Sequence, residues 1–321
     1  MSDSTSVRPS LGGTYPIAGR PVARVGYGAM QLMRLTGEPD AAASVLQRAL
    51  DSGVNHVDTA DFYGDGFVNE VIRTVVGDRD DVLVATKIGA VADENGGAVP
   101  LRPAQRPEEL EASIRNNLAT LGRESLDLVY MRRLDSGPGL RAQAEQDVPL
   151  EDQLEVLIRL RDAGDIRAIG LSGVTLEVLR QALPAGIAAV QNAYSVIDRQ
   201  FDDMLRVTID EGIAWVPFFP LGGGIAWYPK VTEQAAVRQA ADRLSATPSQ
   251  IGLAWLLQHS ANTLLIPGTA SVDHLDENLA VGDLVLDAET VTQLDALVPA
   301  GSGPVNWVPE QSTRSADASG E

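Results

Sequence analysis

The sequence predicts an α/β protein: a single (β/α)8 TIM barrel with a short N-terminal β-hairpin. Three observations point there. Four amphipathic stretches stop at a glycine and give way to short, continuous apolar runs, and further runs bring the strand count to about eight. The apolar runs do not alternate with polar residues, which suits strands covered on both faces, as in a parallel sheet. The competing doubly wound fold usually carries G-x-G-x-x-G after its first strand, and no such run occurs; Gly222–Gly224 lacks the spacing.

The elements follow in order. Residues 1–13 are polar without apolar periodicity and read as disordered. Thr14–Val25 alternates weakly around Gly19 and reads as a hairpin. Val25–Gly28 is a short first strand. The helix Ala41–Ser52 ends at Gly53 and leads into a strand, Val54–Asp58. Val82–Lys87 is the third strand. Pro107–Leu121 stops at Gly122 before Leu126–Met131, and Leu150–Ala163 stops at Gly164 before Ile166–Leu171. Ile187–Gln191 is the sixth strand. Phe201–Glu211 stops at Gly212 before Ile213–Phe218, and the helix Gln250–Gln258 precedes the eighth strand, Leu264–Ile266. The barrel is expected over 14–300. Residues 301–321 are Ser/Gly/Pro-rich and read as a flexible tail, in which Trp307 and Val308 are the apolar exceptions able to dock.

Composition removes several functions. The formal net charge is −19, from 25 Lys+Arg against 44 Asp+Glu. Such a chain lacks the basic face that nucleic acid requires. With Cys 0 there is no disulfide, thiolate metal site or cysteine nucleophile. The three histidines, His56, His259 and His274, match no short metal-ligand spacing, so no metal is expected. No apolar run reaches membrane-spanning length, and the first residues lack the layout of a signal peptide, which favours the cytoplasm. The oligomeric state is left open.

Barrel chemistry collects at the C-terminal strand ends. Those ends offer Asp58 and Tyr63, Lys87, Arg132 and Arg133, Ser172, and Gln191 with Asn192. Lys87 is one of only two lysines, the other being Lys230, and it closes an apolar run. A lysine there needs a carboxylate, and Asp58 ends the neighbouring strand. The plain alternative is an ion pair that merely closes the barrel. Tyr63 tips the balance. A phenol is a poor acid at neutral pH, but beside an ammonium it gives up its proton more readily. Taken alone, Tyr63 would be an aromatic packed in a loop.

The motifs D-T-A-D-F-Y (58–63), V-A-T-K (84–87), G-L-S-G (170–173) and I-P-G-T-A-S-V-x-H-L-x-E-N (266–278) together resemble the aldo-keto reductases, from about Val25 to Val281. The resemblance implies a barrel that binds a nicotinamide dinucleotide and passes hydride to the carbonyl of a small molecule. Tyr63 would be the general acid, Lys87 would tune it and Asp58 would hold Lys87. The family's fourth catalytic member, a His at the end of strand four, is replaced by Arg132 in Tyr130-Met131-Arg132-Arg133. Arginine can donate to an oxyanion but cannot shuttle a proton. That exchange favours substrates with an anionic oxygen, or reduction of a conjugated enone. Its plain alternative is an Arg132 paired with a nearby carboxylate.

The resemblance also implies a cofactor set. Ser172 and Gln191 would hold the carboxamide, with Gly173 where an Asn is usual. Phe218 would stack on the nicotinamide. Leu221, Gly222 and Gly223 would offer amides to the pyrophosphate, and the backbone of Gly28, Ala29 and Met30 would lie near the ribose. Glu277 and Asn278 match the adenine pair. At the 2′-phosphate, Gly268 and His274 stand where NADPH-preferring members place Lys and Arg, leaving Thr269, Ser271 and a helix N-terminus to serve. NADPH is favoured, with NADH as the alternative. Two rival functions remain: an enone reductase or isomerase, and a non-catalytic cofactor-binding regulatory subunit, against which the intact Asp58/Tyr63/Lys87 set argues. Of the remaining histidines, His56 is expected to be satisfied in the barrel wall.

Overall fold

The computed structural model describes residues 10–93, 101–136, 140–222 and 228–304. The hairpin is β1 (Thr14–Ile17) paired antiparallel with β2 (Arg20–Ala23). Seven parallel strands follow: β3 (Tyr27–Gly28), β4 (His56–Asp58), β5 (Leu83–Ile88), β8 (Leu128–Arg132), β9 (Ile169–Ser172), β10 (Ile187–Gln191) and β11 (Ala214–Trp215). Between β5 and β8 lies a small antiparallel pair, β6 (Ala90–Ala92) and β7 (Leu101–Pro103). The predicted eighth strand closes the ring without a long ladder. Bridges join Trp215 to Thr263 and Leu265 to Val25, and Gly26 N donates to Leu265 O at 2.8 Å. The barrel is therefore closed and has no free sheet edge.

The helices are α1 (Pro39–Asp51), α2 (Phe67–Val76), α3 (Pro107–Leu121), α4 (Leu150–Ala163), α5 (Leu176–Ala182), α6 (Asp202–Asp210), α7 (Ala235–Leu244), α8 (Pro248–His259), α9 (Val272–Leu279) and α10 (Ala288–Asp295). Proline opens α1, α3 and α8, where its missing N–H costs nothing. Gly122 and Gly164 close α3 and α4 in the left-handed conformation, as their sequence position predicts.

Strand alternation sorts the core into two. Val84, Ile88, Val129 and Met131 face the helices, whereas Leu83, Ala85, Leu128 and Tyr130 fill the barrel interior. Ile17 and Val22 of the hairpin join that interior cluster and cap the barrel at the N-terminal ends of its strands. Asp127 fastens the cap. It accepts from Arg20 at 3.2 Å, Arg123 at 3.0 Å, Arg167 at 3.1 Å and Val84 N at 3.0 Å.

Higher up, His56 and Tyr130 share the interior with two glycines. A Cβ on Gly26 would lie 3.0 Å from His56 Nδ1, and one on Gly170 would lie 2.5 Å from the Tyr130 ring. The expectation that His56 is satisfied does not hold. The ring is fully buried, neither nitrogen has a partner among the described residues, and Gly26 packs directly against it.

The ends also differ from expectation. Leu11, within the segment read as disordered, is buried, and Val25 N donates to its carbonyl at 3.0 Å. Gly301 N donates to Asp202 at 3.2 Å, and Arg199 N donates to Ser302 O at 2.8 Å. Trp307 and Val308 lie outside the described residues.

Candidate active site

Parallel register brings four strand ends to one mouth. Asp58 pairs with Ala85 across β4 and β5, Lys87 with Tyr130 across β5 and β8, and Arg132 with Ser172 across β8 and β9. Asp58, Lys87 and Arg132 are therefore neighbours in space although 74 residues separate the first from the last.

Lys87 is buried and forms an ion pair with Asp58 Oδ1; its ammonium also donates to Thr59 O at 2.9 Å. Asp58 Oδ2 accepts from Gln191 Nε2 at 2.7 Å. Each carboxylate oxygen is thus engaged and the pair is held from two sides. The Tyr63 ring centroid lies 5.3 Å from Lys87 Nζ, and Phe62 packs edge-on against that ring at 5.1 Å. Burial works against the Lys87 charge, but Asp58 and Tyr63 outweigh it and hold the ammonium above its ordinary range. A cation therefore sits beside the phenol at neutral pH.

Arg132 ends β8, Arg133 follows it, and the two have opposite fates. Arg133 is fully engaged, with Asp135 at 2.9 Å, Gln153 Oε1 at 2.6 Å and Val148 O at 3.2 Å. The Arg132 guanidinium has no hydrogen-bond or ion-pair partner among the described residues. Burial lowers it from its ordinary value, while the neighbouring Tyr63 works the other way; arginine remains a cation regardless. The carboxylate pairing considered from sequence is absent among the described residues.

Beneath them, burial lowers His56 to about 4, with Lys87 acting in the same direction and Asp58 against it. Burial also pushes the Tyr130 phenol up. Both are neutral at pH 7 and neither competes for the proton that Tyr63 carries.

The residues around the mouth fit a dinucleotide. Gly28 and Gly268 are in mutual contact: a Cβ on Gly28 would lie 2.4 Å from Ile266 O, and one on Gly268 would lie 2.5 Å from Gly28 O. No side chain could stand there, because the two backbone segments pack directly on each other. Ala29 and Met30 follow in a 3₁₀ turn, Ala29 buried and Met30 exposed. Ser172 and Gln191 end adjacent strands, and Gln191 Oε1 is buried with no partner among the described residues. Gly173 has φ +64°, a conformation open to Gly and Asn, which accounts for their exchange at this position. Phe218 bridges to Ala193 and packs edge-on with Phe219 at 5.2 Å. Leu221 O accepts from Val231 N at 3.0 Å, and Gly222 lies so close to Pro229 O that a Cβ would overlap it. Gly223, the third member of that loop, lies outside the described residues, as does Trp227.

At the far end, Ser271 caps α9 by accepting from His274 N at 3.5 Å, and Thr269 Oγ1 accepts from Ser271 N at 3.1 Å. The His274 side chain is exposed. Gln250 Nε2 donates to Glu277 O at 2.9 Å, and Asn278 is half-buried beside it on α9. Asp276, on the same helix, pairs with Arg48 at 3.0 Å. No lysine or arginine lies on α9.

Sequence reasoning missed a buried amide relay behind Arg132. Gln105 Nε2 donates to Arg132 O at 2.7 Å and also to Gly89 O. Gln153 donates to Gln105 Oε1 at 3.0 Å and accepts from Arg133. The signal was present: Gln153 stands on the apolar face of α4, in step with Leu157 and Leu160. Asn192 likewise clamps the β9 loop through Val174, accepting at 3.1 Å and donating at 2.7 Å.

Residues 24–299 match the model of the aldo/keto reductase family. The chain belongs to the aldo/keto reductase family. It is 41% identical over 291 residues to pyridoxine 4-dehydrogenase of Escherichia coli K12, which covers 88% of this chain and 98% of that protein. Among solved structures, an aldo-keto reductase from Klebsiella pneumoniae in complex with NADPH superposes with a TM-score of 0.72 at 24% identity, over 89% of this chain and 95% of that one. A holo aldo-keto reductase from Bacillus halodurans superposes with a TM-score of 0.73 at 21% identity, over 90% and 97%. Membership makes this aldo/keto reductase an NAD(P)H-dependent oxidoreductase. Among the described residues no helix is long and apolar enough to cross a membrane, and no cluster of three or more His, Asp or Glu is placed to hold a metal.

Proposed function

We propose that this protein reduces an aldehyde or ketone carbonyl with NADPH, and that Tyr63 supplies the proton. The observation that carries the reading is the buried Asp58–Lys87 pair beside Tyr63 at the C-terminal mouth of the barrel. A bound nicotinamide supplies the hydride. Ser172 and Gln191 Oε1 would hold its carboxamide, Phe218 would lie against its ring, and Gly28, Ala29, Met30, Leu221, Gly222 and Gly268 would offer backbone. Thr269, Ser271 and His274 would meet the 2′-phosphate, with Glu277 and Asn278 beside the adenine.

The chain's own part is proton and charge. As the carbonyl carbon gains hydride, negative charge grows on its oxygen. Tyr63 gives that oxygen its proton, and the Lys87 ammonium offsets the charge left on the phenol. Asp58 and Thr59 O keep Lys87 in place. Arg132, fixed in charge, donates to the same oxygen but cannot exchange a proton under these conditions. Tyr63 must then carry the whole acid role.

The first substrate pair to test is pyridoxine, which the 41% identical relative's name supplies, and pyridoxal, the aldehyde that oxidation at its 4-position gives. Turnover is followed by NADPH absorbance in parallel with NADH. Tyr63→Phe should lower kcat by about 10²–10⁴-fold while cofactor affinity, read by fluorescence titration, stays unchanged. Unaltered turnover in that variant would sink the mechanism. A large advantage of NADH over NADPH would overturn the cofactor choice.

A further inference from the structure

Arg132 stands out in a chain of net charge −19. Arg133, its neighbour, is satisfied three times over. Arg24, another partly buried guanidinium, reaches four backbone carbonyls, including Leu257 O at 2.6 Å and Ser260 O at 2.7 Å. Arg132 alone of these three has nothing to donate to among the described residues. Arg132 is half-buried, so its unpartnered guanidinium is held where a ligand can reach it. Its main chain is held firmly, because Arg132 O accepts from Gln105 and Arg133 N donates to Ser172 O at 3.0 Å. The side chain is thus presented from a rigid strand end, beside Tyr63.

The surroundings are apolar and aromatic. Phe62 and Tyr63 meet edge-on in the loop after β4, and Phe218 and Phe219 form a second edge-on pair in the loop after β11. Met30 and Met33, 42% and 41% exposed, are among the few exposed large apolar side chains of the described residues, and both belong to the turn that leaves Gly28 at the mouth. A flat aromatic ring suits these walls. A guanidinium offers parallel N–H donors in one plane, spaced for two oxygens at once.

We propose that Arg132 determines specificity for aromatic aldehydes that carry an ionised oxygen ortho to the carbonyl. The inference rests on the carbonyl-reductase reading and deepens it. In an ortho-hydroxyaryl aldehyde the carbonyl oxygen and the phenolate oxygen lie on one edge of the ring, in its plane. One arm of the Arg132 fork meets each. Tyr63 shares the carbonyl oxygen and delivers the proton. A meta or para oxygen points away from the fork and gains nothing from it. Pyridoxal, with a ring hydroxyl beside its aldehyde, is a member of this class.

The test uses benzaldehydes and the full-length enzyme. Wild-type kcat/KM for 2-hydroxybenzaldehyde is expected to exceed that for 4-hydroxybenzaldehyde and 2-methoxybenzaldehyde by about tenfold or more. The advantage should grow with pH as the free substrate's phenol ionises, followed by its own absorbance. In Arg132→Met the ortho-to-para ratio should collapse to about unity, whatever happens to the absolute rates. Arg132→Lys, which keeps the charge but loses the fork, should hold an intermediate ratio. A purely structural Arg132 would lower all substrates alike and leave the ratio intact, and that outcome overturns the proposal. So does an ortho advantage that survives in Arg132→Met, or a wild-type enzyme that reduces benzaldehyde with no ortho advantage. If wild type reduces none of these aldehydes nor pyridoxal, the carbonyl-reductase reading itself has failed.

Discussion

Removing both members of the Asp58–Lys87 pair should cost little more than removing either one. Their side chains are 4% and 10% exposed, so water offers little relief to whichever charge is left. Lys87→Met leaves Asp58 with Gln191 Nε2 as its remaining described partner. Asp58→Asn leaves the ammonium with Thr59 O. Breaking a buried pair on one side typically costs about 3–5 kcal/mol, because an uncompensated charge stays behind. In the double variant no charge is stranded, and the amide oxygen introduced by Asp58→Asn can still accept from Gln191. Its cost should match roughly that of one single change, about 3 kcal/mol, giving a coupling energy of about 3 kcal/mol. Urea unfolding of the four proteins, with slopes compared to verify a common unfolded state, measures it. Turnover adds a second reading. The second substitution should cost the double variant little further stability, yet activity stays lost because the charge beside Tyr63 is gone. Additive single costs, with coupling under about 1 kcal/mol, would refute the picture of a mutually dependent buried pair.

Two further expectations follow from packing and burial. Gly28→Ala would place a methyl 2.4 Å from Ile266 O, so it should destabilise by about 1–3 kcal/mol and weaken cofactor binding, whereas Gly303→Ala, with open space around it, should do neither; equal melting temperatures for the two would contradict the close approach. His56 is held neutral, with its pKa lowered from 6.5 to about 4. Between those values the unfolded chain binds a proton that the native ring refuses, so stability should fall as pH drops from about 6.5 toward 4, by up to about 3 kcal/mol from this group. His56→Leu should flatten that limb in pH-dependent urea titrations; an unchanged slope would mean His56 is not its source.

How far the chain could be read depended on whether a feature was local. Glycine stops and continuous apolar runs are written in neighbouring residues, so α1, α3, α4, α6, α8 and most strands fell close to their expected places, whereas α2, α5 and α7 had not been placed. The barrel followed from the repetition of one unit. Asp58, Lys87 and Arg132 were legible because a parallel barrel sends strand ends to one face whatever lies between them. Less local features escaped. The eighth strand is a few bridges rather than a ladder, and β11 is shorter than the run Ile213–Phe218 suggested. Leu11 looked like part of a polar terminus, yet a single leucine suffices to anchor a turn against the core.

The sequence by itself determined the fold class, the placement of Asp58, Tyr63 and Lys87 at strand ends, and the substitution of Arg132 for histidine, because each depends on residue type and order along one element. Only the tertiary structure decided what those groups meet. It engaged Arg133 and left Arg132 without a partner among the described residues, though the two stand side by side in the chain, because alternation along β8 turns one toward α4 and the other toward Tyr63. It gave Asp58 a second partner in Gln191, 133 positions away. It also sealed His56 inside the barrel without a partner among the described residues, where burial rather than sequence sets its charge. Partnership across a barrel is a property of distance in space, and the chain encodes it only through the packing of every element between.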